Sequence, residues 1–114
     1  MQYEYRIYEE VYNDMISGKK TIEYRILNEK SKKINIGDKI KFNVVNNENK
    51  YIITQAIDKF IYDNMEELWK SSEIKNNILG YDKEKLIETF YKIFTKEKVD
   101  YSKIVGFKFK VISS

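Results

Sequence analysis

The sequence of 114 residues contains no cysteine, no histidine and no proline. Without cysteine, the protein has no disulfide, no thiolate nucleophile and no cysteine-ligated zinc or iron–sulfur site. Without histidine, it lacks the commonest general base and every histidine-ligated metal site. Any catalysis must therefore use Lys, Glu, Asp, Tyr, Thr or Ser, and we expect neither a metal nor another cofactor.

Long hydrophobic runs are missing as well. No apolar run approaches the roughly 20 residues that span a bilayer, and residues 1–5 lack the basic and apolar regions of a signal peptide. We therefore expect a cytoplasmic protein with no membrane partner. Apolar residues make up 42% of the chain and charged residues 34%, which is a globular composition, and the length suits one domain over 1–114.

The net charge of +3 is unevenly distributed along the chain. Residues 19–41 contain eight basic and three acidic residues, and residues 92–114 contain six basic and two acidic ones. If the fold places these two segments on one face, the resulting patch would attract a phosphate backbone through counterion release. The alternative is that these lysines are ordinary solvated surface groups.

Hydrophobic periodicity predicts an α+β fold in the order β-α-β-β-β-α-α-β. The predicted strands cover 3–7, 21–26, 39–45, 51–62 and 105–111, and the predicted helices cover 8–16, a segment after Asp63 and a segment after Asp82. A small, strongly twisted sheet that closes into a mixed β-barrel, with the helices packed outside it, would bury the apolar faces of these elements.

Turn and cap residues separate the predicted elements. Gly18 stands where a left-handed cap would end the first helix, and residues 28–33 predict a turn or a single helical turn. Residues 46–49 have turn chemistry and would join the third and fourth strands as a hairpin. Asp63 and Glu66 have the spacing of a capping box, so they predict the start of the next helix.

The strand over 21–26 carries the most informative side chains. Polar and apolar residues alternate along it, so one face carries Thr21, Glu23 and Arg25 at steps of about 6.6 Å. The opposite face carries Ile22, Tyr24 and Ile26. The polar face would line a cleft if Arg25 holds a phosphate or carboxylate and Glu23 accepts from an amine or a base edge. The alternative is an ion pair between Glu23 and Arg25 on a solvated face.

Several segments carry a resemblance to a known family. The chain reads GKKTIEYR over 18–25, NEK over 28–30, IGDKIKF over 36–42, FY over 90–91 and IVGF over 104–107. Together these segments, which extend over almost the whole chain, resemble the ASCH-domain family, the activating-signal-cointegrator homology domains of the PUA-like superfamily. The resemblance implies a small mixed β-barrel with flanking helices, which agrees with the predicted element order.

The same resemblance implies a function. Members of the family are generally thought to bind RNA or nucleotides in a cleft beside the motif strand. In this sequence the implied cleft holds four residues, namely Lys20, Thr21, Glu23 and Arg25. Lysines of residues 30–41 would form its rim. Tyr91 would be a stacking wall, and a stacked base is worth roughly 1–3 kcal/mol. The alternative is that Tyr91 packs in the core. Its helical spacing with Ile87 and Phe94 supports this alternative as strongly as the stacking role.

Two other functions remain open. One branch of the family resembles amidohydrolases that deacylate N4-acetylcytidine with a Lys base, a Thr nucleophile and a distant Glu. Lys20 matches the base, but Glu23 stands at the nucleophile position, and four residues compete for the distant Glu: Glu66, Glu67, Glu73 and Glu84. The alternative function is therefore a small hydrolase that acts on a modified nucleoside amide or an RNA phosphodiester, with Lys20 and Glu23 as its catalytic residues. A third possibility is a protein-interaction domain that uses an exposed barrel edge.

Overall fold

The computed structural model of the chain describes residues 2–71 and 102–114, together with Glu88. The strands within these residues are β1 (Gln2–Ile7), β2 (Ile22–Ile26), β3 (Lys39–Val44), β4 (Tyr51–Tyr62) and β5 (Ile104–Ser113). The helices with described bounds are α1 (Glu9–Ile16), α2 (Glu29–Lys33) and α3 (Met65–Lys70). None of the helices in the described ranges is long and apolar enough to cross a membrane. The helix predicted after Asp82 lies outside the described residues.

The five strands form one mixed sheet in the order β1-β3-β4-β5-β2. β1 runs parallel to β3, and the other three pairs of neighbours are antiparallel. The register of β4 against β5 shifts between Ile53 and Thr54 and again between Ala56 and Asp58, and such irregularities increase the local twist of a sheet. The sheet curls into a half-barrel with helices beside it, which confirms the predicted small, mixed α+β barrel with flanking helices.

The turns and caps largely follow the local chemistry of the sequence. β3 and β4 form the predicted hairpin, and Asn46 in its turn has a φ of 64°, which Asn tolerates better than most residues. α1 ends where predicted, because Gly18 adopts a φ of 80° just after it. The predicted cap of α3 is wrong by one residue. The side chain of Asn64, and not that of Asp63, accepts a hydrogen bond from the backbone N–H of Glu67 at 2.9 Å.

Buried side chains form two core clusters on opposite faces of the sheet. The first core cluster consists of Ile7, Met15, Ile34, Ile40, Phe42, Val44, Ile52, Ala56, Val105, Phe107 and Phe109. The second core cluster consists of Ile22, Tyr24, Ile26, Tyr62, Met65, Leu68 and Ile104. Ile104 and Val105 belong to different clusters because successive side chains of a strand point to opposite faces.

β5 packs closely against β2 at a glycine. A Cβ at Gly106 would come within 2.9 Å of the Tyr24 ring, so this position has room only for glycine while the ring stays in place. The alternation predicted for β5 is correct as far as Phe109 and wrong beyond it, because Val111 is exposed. The change occurs where the register of β5 against β4 shifts, next to Thr54.

Candidate functional site

The charged side chains of β2 lie on the core side of the curled sheet. Glu23 pairs in register with Phe107, and Arg25 pairs with Val105. Because paired residues of an antiparallel ladder share a face, Glu23 and Arg25 lie beside the first core cluster. Glu23 is only 6% exposed. Glu23 and Arg25 therefore share a face, as predicted, but the part of that face that carries them is largely buried rather than solvated.

Two cations hold the buried carboxylate of Glu23. Lys20 Nζ lies 3.3 Å from Oε1, and Arg25 donates to Oε2 from Nη2 at 3.0 Å and from Nε at 3.3 Å. The side chains of Lys20 and Arg25 are themselves only 17% and 13% exposed. Burial raises the pKa of Glu23, but the charges and hydrogen bonds of Arg25 and Lys20 outweigh it and hold that pKa below its usual value. Glu23 is therefore ionised at neutral pH, with both oxygens engaged.

The end of α1 positions Lys20. The chain reverses at Gly18, and the backbone N–H of Lys20 donates to the carbonyl of Asp14 at 3.0 Å. The Lys20 ammonium also lies 6.0 Å from the centre of the Tyr24 ring. The segment from Gly18 to Arg25 thus acts as one unit, in which the helix cap presents Lys20 to the two charged residues of the strand.

Arg25 connects the two strands at the ends of the described sheet. Its Nη2 donates to the carbonyl of Arg6 in β1 at 2.9 Å, and its Cζ lies 4.4 Å from the centre of the Tyr5 ring. β1 and β2 stand at opposite ends of the strand order, so these contacts span the opening of the half-barrel. Nη1 donates to none of the described residues, which leaves two N–H groups for a ligand.

Lys30 of α2 joins this group, although the sequence indicated it only as one lysine of the rim. Its Nζ lies 4.1 Å from the centre of the Tyr5 ring and donates to the carbonyl of Glu4. Burial and the charge of Arg25 lower the pKa of Lys30, while Glu4 acts in the opposite direction. The contact depends on the curl that brings β1 towards β2 and α2. Hydrophobic periodicity carries no information about such a contact.

The aromatic ring of Tyr5 lies against both Arg25 and Lys30. Its ring stacks on that of Phe42, with centroids 6.2 Å apart and an interplanar angle of 20°. Burial raises the pKa of the Tyr5 phenol above its usual value, and the neighbouring Arg25 only partly offsets this effect. The buried hydroxyl has no well-formed hydrogen bond to a described residue, although it lies near the hydroxyl of Ser31. Tyr5 is therefore neutral at physiological pH.

The sequence matches no protein-family model and no curated protein. The structure, in contrast, is similar to solved structures over nearly its whole length. It matches the hypothetical protein PH0355 with a TM-score of 0.81 at 24% identity, over 98% of this chain and 100% of that one. It matches protein PF0455 from Pyrococcus furiosus with a TM-score of 0.72 at 21% identity, over 100% of both chains. A mutant ASCH protein from Zymomonas mobilis matches with a TM-score of 0.65 at 15% identity, over 96% of this chain and 72% of that one.

The chain has an ASCH-domain fold. At identities of 15–24% this similarity concerns the fold alone. On the ASCH-type half-barrel, the structure brings three of the predicted site residues together, namely Lys20, Glu23 and Arg25. Thr21 is exposed just before β2, where its carbonyl accepts from the N–H of Phe109 at 3.1 Å. Tyr91 lies outside the described residues.

The candidates for a distant catalytic carboxylate are not part of the group around Glu23. Glu66 and Glu67 are exposed in the first turn of α3, which packs on the second core cluster. Glu73 and Glu84 lie outside the described residues. Within 2–71 and 102–114, no group of three or more carboxylates could hold a metal ion. The chemistry of the described group is therefore that of cations arranged around one carboxylate.

Proposed function

We propose that this protein is an RNA- or nucleotide-binding module whose ligand cleft lies along the strand from Lys20 to Arg25. The observation that supports it most directly is the charge of the group. The group contains three cations: Lys20 and Arg25 hold the carboxylate of Glu23, and Arg25 and Lys30 lie against the Tyr5 ring. A group with this excess of positive charge suits a phosphate, and guanidinium groups in particular bind phosphate oxygens in pairs.

The geometry favours binding over turnover. A carboxylate with a lowered pKa is a weak base, and a general base works best with a pKa near the working pH. Both oxygens of Glu23 are already engaged by Lys20 and Arg25. In this proposal Glu23 therefore orients the two cations and does not accept a proton from the ligand. Lys20 acts as a cation that contacts the ligand.

Neighbouring exposed cations would extend the contact along an RNA strand. Lys32 and Lys33 lie on α2 with Lys30, and the exposed Arg6 lies in β1, where its carbonyl accepts from Arg25. Each phosphate that such residues neutralise releases counterions, so the affinity for RNA should fall as the salt concentration rises. A single nucleotide would contact fewer of these cations and should show a weaker salt dependence.

The test is a titration of the protein with single-stranded RNA and with nucleoside monophosphates, at about 50 and 200 mM salt. Product analysis is made on the same samples. We expect binding that weakens with salt and yields no product. Arg25→Ala should weaken binding by about tenfold to a hundredfold, because a hydrogen bond to a charged group is worth roughly 1.5–3 kcal/mol.

Arg25→Lys and Lys70→Ala are the control variants for this titration. Arg25→Lys keeps the charge beside Glu23, and Lys70→Ala removes an exposed charge from α3, next to the second core cluster. Circular dichroism establishes that each variant is folded. Unchanged affinity in a folded Arg25→Ala protein would contradict the proposal. A product whose formation Glu23→Gln abolishes would support the hydrolase instead.

A further inference from the structure

Two cations from different elements lie against the same aromatic ring at the opening of the half-barrel. Arg25 Cζ of β2 lies 4.4 Å from the centre of the Tyr5 ring, and Lys30 Nζ of α2 lies 4.1 Å from it. Cations are attracted to the face of an aromatic ring, so Tyr5 holds both in place. The arrangement also holds two like charges close together.

The described neighbours of these cations do not fully neutralise them. Glu23 is shared between Lys20 and Arg25, so one negative charge serves two positive ones. Lys30 donates to a backbone carbonyl, that of Glu4, and the carboxylate of Glu4 accepts instead from the side chain of Asn43 at 3.0 Å. Burial and the charge of Arg25 lower the pKa of Lys30 and outweigh the opposite effect of Glu4, so the negative charge near Lys30 only partly compensates it.

Donor groups on both cations remain available in the described part of the chain. Arg25 Nη1 has two N–H groups that donate to none of the described residues, and Lys30 uses one of its three N–H groups on the carbonyl of Glu4. Lys30 is exposed, so the opening is accessible from solvent. An anion that contacts both side chains would accept hydrogen bonds from each and offset their like charges.

We propose that Arg25 and Lys30, held by the Tyr5 ring, form a subsite for one phosphate group. This inference rests on the proposed function, because it names the chemical group that the cleft binds at this point. The phosphate is either the monoester of a nucleotide or one phosphodiester of an RNA strand. Glu23 is engaged by Lys20 and Arg25, so in this proposal it does not contact the base of the ligand.

The experiment measures phosphate binding directly and then in competition with RNA. The side-chain N–H resonance of Arg25 is followed by NMR while inorganic phosphate is added, with chloride at matched ionic strength as the control for screening. Inorganic phosphate, a nucleoside 5′-monophosphate and the corresponding nucleoside then compete with fluorescent single-stranded RNA. We expect phosphate to shift the Arg25 resonance, and we expect the nucleoside to compete at least about tenfold more weakly than its monophosphate.

Variants of α2 test the role of Lys30. Lys30→Gln should weaken phosphate binding about tenfold and reduce the salt slope of RNA binding by about 0.7, the value for one phosphate contact on a single strand. Lys30→Arg should retain both the phosphate affinity and the salt slope of the wild type. Lys70→Gln removes an exposed charge from α3, outside the proposed cleft, and should change phosphate affinity by less than about twofold, as expected for an exposed charge.

The outcomes separate the subsite from the proposed function. RNA binding that phosphate does not displace, or phosphate binding that Lys30→Gln and Lys70→Gln weaken equally, would overturn the subsite and leave the proposed function standing. Phosphate binding that depends on Lys30, in a protein that binds neither RNA nor nucleotides, would support the subsite and overturn the proposed function. Absence of phosphate, nucleotide and RNA binding would overturn both.

Discussion

Glu23 carries its charge on the core side of a strand, where an isolated carboxylate would be strongly destabilised. Lys20 and Arg25 compensate for its burial, and Arg25 does so while it also contacts the Arg6 carbonyl and the Tyr5 ring. Removing one partner of such a buried group costs more than the interaction itself contributed, because the remaining charges lose their compensation. Glu23 is for this reason both a stability residue and a positioning residue of the proposed cleft.

Glu23→Gln should lower the free energy of unfolding by about 3 kcal/mol at neutral pH. Glutamine has nearly the same shape, but it leaves Lys20 and Arg25 without their counter-charge. Urea denaturation measures the difference. Glu67→Gln is the matched control, because the Glu67–Lys70 pair is exposed and 3.9 Å apart, and its loss should cost less than about 1 kcal/mol. Equal losses in the two variants would contradict the assignment of Glu23 as a compensated buried charge.

The stability difference between wild type and Glu23→Gln should also depend on pH. The pKa of Glu23 is lower in the folded protein than in the unfolded chain, where a glutamate titrates near about 4.3. Its contribution to stability is therefore fully present above that unfolded pKa, and it is lost as the pH falls through the folded pKa. The difference between wild type and Glu23→Gln should be constant above about pH 5 and should shrink in more acidic solution. A difference that grows on acidification would show that the direction of the pKa shift is wrong.

Among the secondary-structure elements, β1 is unusual because charged side chains cover its edge. The carbonyls of Glu4 and Arg6 accept from Lys30 and Arg25, respectively, where a neighbouring strand would otherwise donate. Uncovered strand edges promote pairing with other chains, and charged side chains suppress it. This arrangement disfavours the use of this edge of β1 by a protein-interaction domain.

α2 is short, and its sequence fixes its start. The Asn28 side chain accepts from the N–H of Ser31 at 2.9 Å, and the Ser31 hydroxyl accepts from the N–H of Asn28 at 2.8 Å. Ser31 also donates to the carbonyl of Ile26 at the end of β2, at 3.0 Å. This capping box attaches the helix to the motif strand and so places Lys30 beside Tyr5.

Asn28→Ala should therefore have two effects. It should lower the free energy of unfolding by about 1 kcal/mol, and it should weaken RNA binding several-fold because Lys30 is no longer held in place. Asn28→Asp retains a side-chain acceptor and should keep most of the stability. Urea denaturation and the RNA titration measure the two effects. If both variants behaved like wild type, the cap would not be what positions Lys30.

In the whole molecule, one sheet supports both core clusters. Ile104 and Val105 are adjacent in β5 and belong to different clusters. Unfolding of β5 would therefore disrupt both clusters. Trp69, the one tryptophan of the sequence, packs against the second core cluster. Its fluorescence therefore reports the face that carries α3, while far-UV circular dichroism reports the sheet as a whole.

We expect the two signals to give coincident unfolding transitions in urea, as in two-state unfolding of a small domain. Leu68→Ala removes a fully buried side chain from the second core cluster and should cost about 2–5 kcal/mol. The midpoints of both signals should move together in this variant. A fluorescence transition that separates from the dichroism transition would show that the second core cluster unfolds independently of the first.

The sequence by itself determined the features that depend on neighbours along the chain. Strand alternation placed Glu23 and Arg25 on the same face, and Gly18 marked the end of α1 because its left-handed conformation suits glycine. The turn at 46–49 joined the β3–β4 hairpin, and the ASCH-like segments implied a small mixed β-barrel with flanking helices. The cap of α3 was missed by one residue because Asp63 and Asn64 are both good cap residues, and the local sequence does not distinguish them.

Only the tertiary structure decided whether the charged face of β2 is solvated or buried. The parallel pairing of β1 with β3 and the curl of the sheet bring Tyr5 and Lys30 to Arg25, and no local pattern encodes those contacts. Alternation fixes which side chains share a face, because it depends on the geometry of one strand. What covers that face depends on elements distant in sequence, so the charge balance around Glu23 is a property of the folded chain.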